Sequence, residues 1–130
     1  MPGKIIVVDD DAIAGDLSSI LLREVGYEVE QITDSLTAIE AIKAARPVAV
    51  ILDMMMPGLD GLTLCRMIKA DPDLKGIKVA IVTGKSFKED IERAAKLGAD
   101  AYIVKPYKSQ IFVRAIQMLL GEKKSATELA

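Results

Sequence analysis

Five short apolar runs, at 4–8, 27–33, 48–52, 78–82 and 101–104, punctuate this chain, and each gives way to a segment of helical spacing. That alternation limits the fold more than any other feature. Short β-branched runs bounded by turn residues read as strands, and strands separated by single helices join as right-handed crossovers in a parallel sheet. The expected class is therefore α/β: a doubly wound, five-stranded parallel sheet covered on both faces as a three-layer sandwich. Sequence alone leaves the strand order open. The first, third and fourth runs look central and 27–33 looks like an edge, which favours the order 2-1-3-4-5.

Between the runs, apolar residues recur at helical intervals. Ile13, Leu17, Ile20 and Leu21 predict the buried stripe of a first helix, which Gly26 closes. Asp34 or Ser35 can cap a second helix carrying Leu36, Ile39 and Ile42, and Pro47 ends it. Leu62, Cys65, Met67 and Ile68 predict a third. Ser86 with Glu89 has the form of a capping box for a fourth, whose Ile91, Ala94 and Ala95 face inward and which Gly98 closes. Ile111, Phe112, Ala115, Ile116 and Leu119 predict the last. Residues 1–120 read as one domain, and 121–130 as a flexible polar tail.

What the runs end in matters more than the runs. The first stops at Asp9 and Asp10, the third at Asp53, the fourth at Thr83 and the fifth at Lys105. In a parallel sheet all carboxyl ends share one edge, which is where open α/β sheets bind ligands. Three carboxylates, a hydroxyl and an ammonium are thus expected to converge. Crowded carboxylates resist ionising unless a cation sits among them. Mg²⁺ suits all-oxygen ligands and leaves positions vacant for phosphate oxygens, with Mn²⁺ as the alternative ion. Asp11, one residue past the pair, reads as a helix start.

Composition closes off other chemistries. The chain contains no histidine and one cysteine, Cys65, so zinc ligation and histidine-dependent catalysis are excluded. A lone cysteine forms no internal disulfide and fits a reducing, cytoplasmic setting; at helical spacing it reads as core. No apolar run approaches the ~18 residues of a membrane span, and the acids at 9–11 interrupt any leader-like stretch, so neither membrane nor leader is expected. Residues 1–65 carry a formal charge of −7 and residues 66–130 carry +5. Nothing has the basic excess of a direct nucleic-acid binder.

Taken in order, Val7-Val8-Asp9-Asp10, Asp53 with Met56-Pro57 and Asp60-Gly61, Thr83-Gly84, Gly98-Ala99-Asp100-Ala101-Tyr102 and Lys105-Pro106 resemble the response regulator receiver domain of two-component phosphorelays. The resemblance covers residues 4 to about 120, and the 2-1-3-4-5, flavodoxin-like order is that family's. It implies Asp53 as phosphoryl acceptor from a sensor histidine kinase or histidine phosphotransfer protein. It implies Asp10 as a direct Mg²⁺ ligand, Asp9 as a ligand directly or through water, Asp53 itself, and the backbone carbonyl of Met55. Lys105 would pair with Asp53 and then with a phosphate oxygen. Thr83 would bond the phosphoryl group, and Tyr102 would change rotamer as Thr83 moves. The Lys105-Pro106 bond is expected to be cis.

The same resemblance implies a readout surface on helix 4, strand 5 and helix 5, facing a downstream protein or a fused output domain, in a monomer or a phosphorylation-linked homodimer. The chain would catalyse only its own phosphorylation and dephosphorylation. Met55 and Lys85 occupy positions that influence phosphoryl lifetime; Met55 offers no side-chain hydrogen bond to a hydrolytic water, so no specialised fast self-hydrolysis is expected. Gly84 stands where the family usually has another small residue and keeps the phosphoryl entrance open. Residues 54–56 read as adaptable loop packing. Two rivals remain: a small Mg²⁺-dependent phosphatase, to which Asp9-x-Asp11 gives slight support, and an interaction domain with a vestigial site.

Overall fold

The computed structural model describes residues 3–121 of the chain; most of the expected tail, 122–130, lies outside the described residues. The elements run β1 (Lys4–Val8), α1 (Ala12–Glu24), β2 (Glu28–Ile32), a 3-10 turn (Ser35–Thr37), α2 (Ala38–Ala45), β3 (Ala49–Asp53), α3 (Gly61–Ala70), β4 (Lys78–Thr83), α4 (Lys88–Lys96), β5 (Ala101–Val104) and α5 (Ser109–Leu119). All strand pairs are parallel and the order is β2-β1-β3-β4-β5. This is the expected doubly wound sandwich.

Strand periodicity divides the core in two. Ile6, Val8, Val50, Leu52, Val79 and Ile81 point to one face, against Ile42 of α2 and Leu64 and Ile68 of α3. Their neighbours Ile5, Val7, Ala49, Ile51, Ala80 and Val82 point to the other, against Leu22 of α1 and Phe112 and Ile116 of α5. Successive side chains on a strand alternate faces, so an unbroken apolar run feeds both layers. Each fully buried Ile, Leu or Phe contributes ~1.5–3 kcal/mol relative to an exposed one.

Helix ends follow local chemistry. Asp11 caps α1 by accepting from the N–H groups of Ile13 and Ala14, at 3.0 and 3.3 Å. Gly26, at φ 101°, ends α1 in a Schellman turn, with Tyr27 N–H donating to Leu22 O at 3.2 Å and Gly26 N–H to Arg23 O at 3.0 Å. Gly98 closes α4 in the same way, at φ 99°.

Four expectations need correcting. The face of α1 that is buried carries Gly15, Ser18, Ser19 and Leu22; Ile13, Leu17 and Ile20 are exposed, Ile13 by 81%. Small side chains let the helix approach closely: a Cβ on Gly15 would stand 2.6 Å from Nε2 of Gln31. Three of the four expected stripe residues therefore lie outside, while Leu21 packs against the core as expected. In β3, Val48 is exposed and falls before the strand, while Asp53 pairs with Val82 inside the ladder. In α4 only Ala94 is buried; Ile91 and Ala95 stay exposed because they line an open cleft with Ala101 and Tyr102 of β5. The capping box is absent: Phe87 holds the N-cap position of α4 with no side-chain bond. Similar smaller shifts leave Leu36, Met67 and Ile111 exposed.

Candidate functional site

Parallel pairing aligns the strand ends in space. Val8 stands beside Leu52, Asp53 beside Val82, and Thr83 beside Val104. Asp9, Asp53, Thr83 and Lys105 therefore reach one edge with no long loop involved. Asp9 is 6% exposed; its N–H donates to Ile32 O at 3.0 Å, and its Oδ1 accepts from Asp11 N–H at 2.9 Å. Asp10, next along, is exposed.

One carboxylate oxygen from each of Asp9, Asp10 and Asp53 lies within 4.8 Å of the others. The Lys105 ammonium stands between two of them, with Nζ 3.4 Å from Asp9 Oδ2 and 3.5 Å from Asp53 Oδ1. The sequence expectation paired Lys105 with Asp53 alone; Asp9 shares it. Burial pushes the Asp53 carboxyl above its usual range and the Asp9 charge pushes the same way, outweighing the pull of Lys105. Burial alone would lower the Lys105 ammonium, yet Asp9 and then Asp53 carry it upward. One cation is too little for three acids. An all-oxygen cluster in this state has the chemistry of a site for a hard divalent cation.

Beyond Asp53 the chain turns under several restraints. Met54 and Met56 bury their side chains while Met55 is exposed, which is the adaptable packing expected of the run. Met54 N–H donates to Val82 O at 3.1 Å, and Gly61 N–H donates to Met54 O at 2.9 Å. Asp60 caps α3 through Thr63 N–H at 2.8 Å. Ser35, read from sequence only as an alternative cap, does something else: Asp34 caps the 3-10 turn, and the buried Ser35 hydroxyl reaches across to the turn after β3. Its Oγ donates to Pro57 O at 2.7 Å and accepts from Leu59 N–H at 2.9 Å. Gly58, at φ 82°, lies so close that a Cβ there would stand 2.9 Å from that oxygen.

Thr83 is 1% exposed, and its Oγ1 accepts from Lys85 N–H at 3.1 Å. The Lys85 carbonyl accepts in turn from Tyr102 Oη at 2.9 Å, and Tyr102 Oη also approaches Met54 Sδ at 3.9 Å. Thr83 and Tyr102 are thus joined through the backbone of one residue, Lys85. Gly84 has open space where a Cβ would be. Lys105 N–H donates to Thr83 O at 2.7 Å, and the Lys105-Pro106 bond is cis, as expected. A cleft of about 400 Å³, lined by Ala14, Leu17, Lys105, Pro106 and Tyr107, opens beside the lysine. Tyr107 and Ser18 were not singled out from the sequence, although their hydroxyls meet at 2.9 Å.

Comparison with known proteins agrees with this geometry. A sequence profile of the response regulator receiver domain matches residues 5–117. The DNA-binding response regulator MtrA of Mycobacterium tuberculosis (strain H37Rv) is 36% identical over 120 residues, 92% of this chain and 51% of that protein. The transcriptional regulatory protein CseB of Streptomyces coelicolor is 31% identical over 116 residues, 89% of this chain and 48% of that protein. The chain thus spans about half the length of the curated relatives it matches. Among solved structures, the signal receiver domain of a signal transduction histidine kinase from Syntrophus aciditrophicus superposes with a TM-score of 0.84 at 32% identity, covering 95% of this chain and 96% of that one. The BeF3-activated receiver domain of DrrB, a Thermotoga maritima protein, superposes with a TM-score of 0.83 at 30% identity, covering 93% and 99%.

Proposed function

This chain belongs to the response regulator receiver domain family, and from that premise we propose that Asp53 accepts a phosphoryl group, from a sensor histidine kinase or a histidine phosphotransfer protein, in a Mg²⁺-dependent reaction. The observation that carries this reading is the cluster of Asp9, Asp10 and Asp53 with the Lys105 ammonium 3.5 Å from the central carboxylate. Asp53 attacks phosphorus as nucleophile, and the P–N bond of the donor breaks as the new P–O bond forms. Such transfers ask the protein mainly for in-line positioning and charge neutralisation. Asp53 is held by the β3–β4 ladder, and Lys105 can move from Asp53 to a phosphoryl oxygen as a point charge.

The donor set fits the ion: Asp9, Asp10, Asp53 and the Met55 carbonyl would hold Mg²⁺, with Mn²⁺ as a substitute. When bound, it offsets the acids' mutual repulsion and adds positive charge for the incoming phosphoryl oxygens. The Thr83 bond to Lys85 N–H uses a lone pair, so its hydroxyl proton is left to donate to a phosphoryl oxygen. Drawing Thr83 inward would break its link to Lys85 and release Tyr102 from the Lys85 carbonyl. That couples Asp53 to the α4–β5–α5 surface, where a downstream protein or fused output domain would read the change. A full switch needs ~5.5 kcal/mol of differential stabilisation, within reach of several charge-assisted bonds and beyond one neutral bond at ~1 kcal/mol.

The reading covers residues 1–120 as the receiver, acting in the cytoplasm and catalysing only its own modification. No described helix is long and apolar enough to cross a membrane. DNA binding belongs, by its name, to the relative MtrA; for this chain the proposed contacts are with proteins, as a monomer or a phosphorylation-linked homodimer. Ile13, Leu17 and Ile20, exposed beside the cleft at Lys105, offer an apolar ridge on which a phosphodonor protein can settle. Incubation with Mg²⁺ and a small acyl phosphate, read by intact mass, tests the central claim. One phosphoryl adduct is expected, absent in Asp53→Asn and absent without metal. An adduct that survives Asp53→Asn would refute it.

A further inference from the structure

We propose that the hydroxyl pair of Ser18 and Tyr107 positions Lys105 for phosphoryl transfer, an inference that rests on the roles given above to Asp53 and Lys105. Tyr107 lies two residues beyond the lysine, in the link between β5 and α5. The backbone on the other side of Lys105 is already fixed, by its N–H to Thr83 O at 2.7 Å. Tyr107 anchors the second side twice. Its ring stacks on buried Phe112, with centroids 4.6 Å apart and planes at 16°. Its hydroxyl stands 2.9 Å from Ser18 Oγ.

The stack needs only a phenyl ring; the hydroxyl adds a second anchor, its bond with Ser18. Ser18 sits on α1, the helix that Asp11 caps immediately after Asp9 and Asp10. The pair therefore ties the loop carrying the ammonium to the helix that begins at the acidic cluster. Ser18 is 6% exposed, so water competes weakly for the bond and it holds better than a surface contact. The need for such a tether is visible at the ammonium. Its separations of 3.4 and 3.5 Å from Asp9 and Asp53 are longer than the ~2.7–2.9 Å of a well-formed charged hydrogen bond. Small movements of the loop would then decide which carboxylate the lysine meets. Neither hydroxyl touches the reacting atoms, so both are positioning residues.

Three substitutions in the full chain test this. Tyr107→Phe keeps the ring and removes one oxygen, Ser18→Ala removes the other partner, and Ser18→Thr keeps a hydroxyl. The rate of Asp53 phosphorylation by a small acyl phosphate at saturating Mg²⁺ is followed by intact mass, well below the unfolding temperature, beside a Mg²⁺ titration by calorimetry. Tyr107→Phe and Ser18→Ala are each expected to slow phosphorylation about fivefold, the scale of one lost hydrogen bond. The double variant should be no slower than either single one, Ser18→Thr should recover most of the rate, and Mg²⁺ affinity should not change. Unchanged rates with a lowered unfolding midpoint would assign the pair to stability alone and overturn the inference, as would additive losses. A wild-type chain that takes no phosphoryl group would overturn the reading of Asp53 and this inference with it.

Discussion

Gly61 lies against the backbone of Asp53 so closely that a Cβ at position 61 would overlap the Asp53 carbonyl oxygen and stand 3.0 Å from Met54 Cα. Backbone cannot step aside as a flexible side chain can. Gly61→Ala is therefore expected to displace the turn after β3, costing about 1–3 kcal/mol in urea unfolding, the range for overpacking. Mg²⁺ affinity should fall as well, since Asp53 and Met55 lie in the displaced segment. A variant that binds Mg²⁺ as wild type does would show that the turn absorbs the extra methyl.

Asp53 is expected to make the metal-free protein less stable at neutral pH. Its folded carboxyl titrates above the ordinary 3.8 because of burial and then Asp9, so the folded state holds the proton more tightly than the unfolded chain. That contribution is present below pH 3.8 and disappears as pH rises through the folded value. At pH 7 and without metal, Asp53→Asn should thus melt higher than wild type. Adding Mg²⁺ should raise the wild type by ~2.7 kcal/mol at a hundredfold excess over its dissociation constant, and Asp53→Asn by much less. Thermal melts with and without chelator measure both.

Ser35→Ala removes a bond to Pro57 O and a bond from Leu59 N–H at one stroke. Pro57 is exposed and Leu59 half-buried, so water can replace part of what is lost, and each bond is worth about 0.5–1.5 kcal/mol. The loss should appear in the urea midpoint. Because the freed turn follows Met55, Mg²⁺ binding should weaken too, and calorimetric titration would detect it.

Burial pushes the Cys65 thiol up to about 11, with Lys69 lowering it and Asp100 raising it by smaller amounts. The native thiol should therefore ignore a thiol-specific reagent at neutral pH and react fully in denaturant. The folded state keeps the proton that the unfolded chain releases near 9.0, so this contribution is whole below pH 9 and is lost as pH rises through about 11. Cys65→Ala, compared with wild type at pH 8 and above 10, should lose that part of the alkaline destabilisation.

Ile13 is 81% exposed and belongs to neither core cluster. Ile13→Lys should move stability by no more than ~0.5 kcal/mol. Transfer from a protein phosphodonor should slow severalfold, while modification by a small acyl phosphate stays as in wild type. Equal rates with the protein donor would move the docking ridge elsewhere.

Which residues stand at the strand ends is a matter of local sequence. The apolar runs before Asp9, Asp53, Thr83 and Lys105 make strands, the intervening helices make them parallel, and parallel strands put their last residues on one edge. The turn chemistry of Asp11, Gly26 and Gly98 was legible for the same reason: a cap bonds its own neighbours within a few residues.

Tertiary structure decided everything that depends on a partner distant in the chain. Helical spacing says that α1 has an apolar stripe, but packing buried the Gly15, Ser18 and Leu22 face, because small side chains admit closer approach. Lys105 divides its charge between Asp9 and Asp53, 96 and 52 residues away, and Ser35 holds a turn 22 residues further along. Periodicity carries no trace of such contacts. A side-chain oxygen or ammonium finds whichever group the assembled layers bring within about 3 Å, and only the folded chain fixes which group that is.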